Sequence, residues 1–198
     1  METKNRTSEI NRKTAETDIS LSFNIDGTGS YEVATGVPFL DHMLELFAKH
    51  GCFDLKVKAT GDVKVDDHHS VEDIGICLGK ALKEAVGDKA GINRYGFMLL
   101  PMDEALAEVA VDFSGRPFLA WNVEWHQELI KTFQTTLVEE FWRAVAVEAG
   151  LDLHIIVRYG KDAHHMSEAI FKGVARALKA ALAYDPRSTG IPSTKGTL

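Results

Sequence analysis

The chain has 198 residues, 45% of them hydrophobic, enough to bury an ordinary core as one domain or as two intimately packed halves. The balance of 22 Lys and Arg against 29 Asp and Glu gives a net charge of -7, which argues against nucleic acid or an anionic membrane as the principal partner. No stretch approaches the roughly 18 apolar residues of a membrane span, and the polar run Met1 to Thr17 lacks the apolar core of a signal peptide, so a cytoplasmic location is expected.

In chain order, the alternation of Ile19, Leu21, Phe23 and Ile25 predicts a strand over 17–26. A helix follows over 38–50, then a strand over 53–59, then a helix over 68–86 carried by Val71, Ile74, Leu78, Leu82 and Ala85. The series then returns as a strand over 104–113, a helix over 134–149, a strand over 151–158 and a helix over 164–183. Gly51 and Gly150 stand where a helix C-terminus favours left-handed backbone. Pro186, Gly190, Pro192 and Gly196 make the last dozen residues an irregular tail, and Cys52 and Cys77, both in apolar runs, read as free buried thiols.

The return is a duplication. Phe39 through Leu55 aligns without a gap on Leu137 through Leu153, and Glu16 ahead of its alternating strand resembles Glu104 ahead of Leu106, Glu108, Ala110 and Asp112. Each half reads as strand, strand, helix, strand, helix, giving an α+β sandwich built from a first repeat (1–92), a second repeat (93–185) and a C-terminal tail (186–198) within one integrated domain. No Gly-rich nucleotide fingerprint precedes a helix.

The duplicated element with chemistry is Asp67-His68-His69-Ser70-Val71-Glu72, repeated as Asp162-Ala163-His164-His165-Met166-Ser167-Glu168. Residues three and four apart share a helix face, so one histidine of each pair can approach Glu72 or Glu168, while neighbouring histidines point about 100° apart and suit two different ions. His42 and Glu140 occupy the same place in their halves, which completes eight candidate ligands: His42, His68, His69, Glu72, Glu140, His164, His165 and Glu168. One copy alone fits a pair of solvated helix caps equally well; the recurrence of both, with His42 and Glu140 in register, favours metal. Imidazole and carboxylate without thiolate point to an octahedral, Mn²⁺-like ion, a set that also accommodates Zn²⁺, Fe²⁺ or Co²⁺. His50, His126 and His154 lack repeated partners and read as surface or hydrogen-bonded core positions, although His50 ends the helix that carries His42 and could reach the same cleft. Arg94, Arg116, Lys172 and Lys195 are candidates for an anion site, Lys195 lying among small residues that let backbone N–H groups approach a phosphate.

The chain resembles the imidazoleglycerol-phosphate dehydratase family in Arg12-Lys13-Thr14-Ala15-Glu16-Thr17, Gly36 through Met43, Asp66-Asp67-His68-His69 with Glu72 through Gly75, Pro101-Met102-Asp103-Glu104, Ser114-Gly115-Arg116-Pro117, His164-His165 with Glu168-Ala169, and Pro192 through Gly196. The resemblance implies helices sandwiched between two four-stranded sheets, as in the ribosomal protein S5 domain 2-like fold. It implies two Mn²⁺ per active site and a 24-subunit shell with active sites where subunits meet. One ion would take His42, His69, Glu72 and His165, the other His68, His164, Glu168 and residue 140, where many relatives carry histidine instead of this chain's Glu140. Substrate contacts would come from Glu16, His42, His50, His68, His69, Arg94, Arg116, His164, Lys172, Ser193 and Lys195.

The implied reaction, a step of L-histidine biosynthesis, converts D-erythro-imidazole glycerol phosphate to imidazole acetol phosphate and water. The proton leaves a carbon with no adjacent carbonyl; cations on both ring nitrogens would favour an imidazolate that expels the neighbouring hydroxyl as a diazafulvene. A carboxylate then takes the carbon-bound proton, with Glu16, Glu72 and Glu168 the candidates and Glu16 favoured because ligation commits the lone pairs of the others. A two-metal hydrolase, which prefers bridging carboxylates, and a metal-stapled structural assembly without turnover are the competing readings.

Overall fold

A computed structural model describes residues 6–188 and 190–198; residues 1–5 of the expected first repeat and Thr189 of the tail lie outside the described residues. The first half runs Thr7–Lys13 (β1), Thr17–Asn24 (β2), Tyr31–Ala34 (β3), Pro38–Gly51 (α1), Asp54–Gly61 (β4) and His68–Val86 (α2). The second runs Tyr95–Met102 (β5), Ala105–Asp112 (β6), Phe118–Asn122 (β7), a small hairpin of Leu129–Ile130 (β8) and Phe133–Gln134 (β9), then Thr136–Ala149 (α3), Asp152–Tyr159 (β10) and Ala163–Leu182 (α4).

Two four-stranded sheets result, ordered β1-β2-β4-β3 and β5-β6-β10-β7, with the last strand of each parallel to its neighbour and the rest antiparallel. The duplication expected from sequence is therefore present in the topology. Three strands of its sheet precede the first helix of each half where two were expected, and of these alternation locates only β2 and β6; β1 and β3, and likewise β5 and β7, lie outside the ranges read from periodicity. Counterparts drift in spacing between β7 and α3, where the β8–β9 hairpin is inserted, and again before α4, where residues 160–162 replace the longer link 62–67.

The helices lie between the sheets because each has one apolar face for its own sheet and another for a helix of the other half: α2 packs on β1, β2 and α3, and α4 on β5, β6 and α1. Phe23, Phe47 and Phe53 of the first half meet Trp142, Phe141 and Phe171 of the second, with Phe47 and Trp142 centred 5.9 Å apart, so the two halves share one core. Gly75 and Gly79 of α2 let the backbone of α3 approach: a Cβ at Gly75 would lie 2.8 Å from the Phe141 carbonyl oxygen, and one at Gly79 would lie 2.7 Å from Glu148 Cβ.

The helix ends differ from expectation at one point. Gly150 is left-handed (φ 69) after α3, but after α1 that conformation falls to Cys52 (φ 58) while Gly51 stays helical. A side chain at Gly51 would meet the Phe53 ring at 2.2 Å, so glycine is required there for space. Cys52 is half-buried rather than buried, while Cys77 is buried with its thiol pushed up to about 11 by desolvation; both are free.

Candidate active site

Helix α1 begins with Pro38, whose fixed backbone suits the first turn, and is held at its entry by Asp41, which accepts hydrogen bonds from the Thr35 amide (2.8 Å) and hydroxyl (2.5 Å). The next residue, His42, is thereby aimed at the start of α4. There Asp162 caps the helix by accepting from the His164 amide at 2.8 Å, and His164 and Glu168 share a face four residues apart.

His42 Nε2 and His164 Nε2 each lie 3.0 Å from Glu168 Oε1, and the ligating atoms of the three residues all fall within 4.8 Å of one another. Donors about 2.1 Å from a cation at right angles sit about 3 Å apart, so this spacing fits adjacent corners of a coordination shell. The other oxygen of Glu168 accepts from Lys172 Nζ at 2.5 Å. Burial resists ionisation of Glu168, yet Lys172, His42 and His164 together hold its carboxyl down to about 2. A cavity of about 490 Å³, lined by Phe39, His42, Val63, Asp67, Phe133 and His164, opens beside the cluster.

Within one chain, His42 thus joins His164 and Glu168 rather than His69, Glu72 and His165, because α1 packs on α4 and not on α2. The counterpart contact is α3 on α2. Gly75 faces Phe141 and Ala144, and Gly79 faces Val145 and Glu148, so these helices run parallel. Glu140 therefore sits one turn ahead of the contact, at the level of Glu72. Glu72 and Glu140 are half-buried and His68 is exposed, its amide donating to Asp66 at 2.9 Å.

The second histidine of each pair has its own carboxylate. His69 Nδ1 is 3.0 Å from Asp62, with Glu16 3.9 Å from its Nε2, and His165 Nδ1 is 2.6 Å from Glu104. Both imidazoles are held above their ordinary range by those hydrogen bonds, while Glu104, accepting from the Asp162 amide, His165 and the Lys161 amide, is held down to about 2. The turn bearing Glu16 is pinned to α2 by Asp73, which accepts from Thr17 Oγ1 at 2.5 Å and from Arg12 at 2.8 Å and 3.0 Å. Asp62 carries no signal in the sequence, whereas Glu104 is marked both as the counterpart of Glu16 and within Pro101-Met102-Asp103-Glu104.

Arg94, Arg116, Ser193 and Lys195 line a single cavity of about 610 Å³ where the tail returns to the second sheet. Arg94 organises it: its guanidinium grips Asp112 at 2.6 Å and 3.1 Å and donates to the Pro192 carbonyl at 2.9 Å. Lys172 stands apart from these groups, beside Glu168. His50, half-buried in the last turn of α1, is held below 6.5 by burial and then by the charges of Lys172 and Arg176. His126 and His154 are exposed.

The family model for imidazoleglycerol-phosphate dehydratase matches residues 35–178. The imidazoleglycerol-phosphate dehydratase of Bacillus licheniformis is 59% identical over 98% of this chain and 100% of that protein, and that of Bacillus subtilis is 56% identical over the same shares. Among solved structures, the Staphylococcus aureus imidazoleglycerol-phosphate dehydratase superposes with a TM-score of 0.83 at 44% identity, covering 90% of this chain and 99% of that one. The Pyrococcus furiosus protein, solved in complex with (S)-C348, gives 0.83 at 36% identity over 96% and 100%.

Proposed function

The chain belongs to the imidazoleglycerol-phosphate dehydratase family, and on that premise we propose that it is a hydro-lyase of histidine biosynthesis that depends on two divalent cations, Mn²⁺ by preference, to turn imidazole glycerol phosphate into imidazole acetol phosphate. The observation that carries the cation requirement is the spacing of His42 Nε2, His164 Nε2 and Glu168 Oε1. His42, His164 and Glu168 would hold one ion, and His68, His69, Glu72, Glu140 and His165 are the remaining ligands in this reading. Such cations, when bound, supply Lewis acidity to the ring nitrogens of the substrate.

The chain's own groups do the rest. Glu168 stays anionic under the opposing charge of Lys172 and so remains a ligand at neutral pH. Glu16, on a turn fixed to α2 yet with an exposed carboxylate, is the group to take the carbon-bound proton once the hydroxyl has left; Glu72 and Glu168, as ligands, are less free to do so. Arg116, Ser193 and Lys195 hold the phosphate, with Arg94 fixing the tail that carries two of them.

Distance supports a site shared between subunits. The Arg94 amide donates to the Ala181 carbonyl, far along α4 from His164, a separation of about 25 Å at 1.5 Å per residue. An imidazole with a three-carbon phosphate chain is far shorter than that, so phosphate groups of one chain serve the cation cluster of another. The two sheets agree with self-association. The outer face of the first is polar, with Glu9, Asn11, Ser20, Ser22, Lys56 and Lys58, whereas that of the second exposes Tyr95, Phe97, Leu99, Phe118 and Tyr159, each about half accessible. A 24-subunit shell acting in the cytoplasm completes the reading; no described helix is long and apolar enough to cross a membrane.

Complementation tests the shared site. Glu168→Gln and Lys195→Ala subunits, each inactive alone, regain turnover when unfolded together and reassembled. Failure of every mixture, with assembly intact, would place both groups in one chain's site.

A further inference from the structure

The two repeats use equivalent glutamates differently. Lys13 pairs with Asp18 across the β1–β2 hairpin as Pro101 pairs with Leu106 across the β5–β6 hairpin, which makes Glu16 and Glu104 the same position of the same turn. His69 and His165 are likewise equivalent, each the second histidine of its pair. Yet Glu104 takes Nδ1 of His165, with Asp103 3.6 Å from Nε2, while Asp62 takes Nδ1 of His69 and Glu16 lies on its Nε2 side at 3.9 Å.

We propose that Glu104 is the positioning residue of His165, that Asp62 performs this task for His69, and that this substitution is what leaves Glu16 free for proton transfer; the inference rests on the metal-dependent reading above. A carboxylate accepts and does not donate, so Nδ1 carries a proton in both rings, and in the neutral imidazole Nε2 is the available electron pair. Glu104 is immobilised for this: one oxygen accepts from the Lys161 amide at 3.1 Å and the Asp162 amide at 2.8 Å, the other from His165 at 2.6 Å. Withdrawing it to carry a proton would strand two amides at the entry to α4.

Glu16 has no such anchorage. Its side chain is 53% exposed, and among the described residues its carboxylate accepts no hydrogen bond. Asp62 can act in its stead because the link between β4 and α2 is longer than the one between β10 and α4, which has no acidic counterpart to spare before the cap Asp162. One oxygen of Asp62 is buried without a partner, and the other contacts His69, so His69 is the hydrogen-bond partner of this side chain among the described residues.

The alternative is that Glu104 merely caps the approach to α4. Glu104→Gln separates the two, because its amide oxygen can still accept from residues 161 and 162 while its NH2 would donate to Nδ1 and drive the proton to Nε2. Nitrogen-15 spectra of histidine-labelled, metal-free protein read the tautomer, and the EPR signal of free Mn²⁺ reads affinity. The expected result is Nδ1–H on His165 in the parent, Nε2–H in Glu104→Gln, and Mn²⁺ affinity weaker by about 10- to 100-fold. Glu16→Gln should leave affinity unchanged. Parent protein with Nε2–H on His165, or Glu104→Gln with full affinity, overturns the proposal. If the parent binds no Mn²⁺, the cation reading fails while the tautomer still decides the positioning role; if Glu104→Gln does not fold, the parent spectrum alone decides it.

Discussion

Replacing Gly75 by alanine sets two known effects against each other. Alanine in a helix interior is favoured over glycine by about 1 kcal/mol. Against that, the new Cβ would lie 2.8 Å from the Phe141 carbonyl oxygen and 2.9 Å from Ala144 Cβ, both on the facing helix and neither able to swing aside. Overpacking costs about 1–3 kcal/mol, and a clash with a backbone carbonyl that cannot move puts this one at about 2–3 kcal/mol, so the net effect is a loss of about 1–2 kcal/mol. For a chain of this length that lowers Tm by about 2–8 °C. Gly79→Ala faces Val145 and Glu148 in the same seam, and because one shift of α3 relieves both clashes, the double variant should lose less than the two singles together. Fluorescence of buried Trp142, on α3 beside the seam, follows urea or thermal unfolding of metal-free protein at fixed concentration. An increase in Tm for Gly75→Ala would show that propensity outweighs packing and that α2 and α3 do not meet as described.

Glu168→Gln removes the negative charge shared by His42, His164 and Lys172; Mn²⁺ stoichiometry should fall, and turnover by about 10²–10⁴-fold, whereas unchanged metal content would exclude Glu168 as a ligand. For metal-free protein, the Glu168 carboxyl is held at about 2 in the fold against about 4.5 free, so the stability it contributes is present above pH 4.5 and lost as pH falls from there toward 2. Lys172→Met should therefore lower stability at pH 7 and flatten its decline across that window; a steeper decline would contradict the assignment. With its thiol near 11, Cys77 should resist alkylation at pH 8 in folded protein, where Cys52 alone reacts, and react only after unfolding, as counted by mass spectrometry.

Strongly periodic segments were readable to within a residue or two: 68–86 and 164–183 became α2 and α4 because their apolar stripes are long enough to leave no other buried solution. β3 was missed because Tyr31–Ala34 is four residues with little buried, and the parallel partner that stabilises it, β4, lies beyond α1. The ligand candidates were visible because duplication printed them twice. Their grouping was not, since which helix faces which depends on small residues such as Gly75 and Gly79 whose spacing carries no chemical label. Asp62 was invisible for a related reason: a lone loop aspartate acquires meaning only when the fold brings it to His69.

Chelator-stripped protein given imidazole glycerol phosphate, with Mn²⁺ restored in steps, tests the cation-dependent dehydration most directly. Ketone should be absent at the start and should rise with bound metal until two ions per chain are taken up. Ketone formed at full rate by the stripped protein would contradict the account.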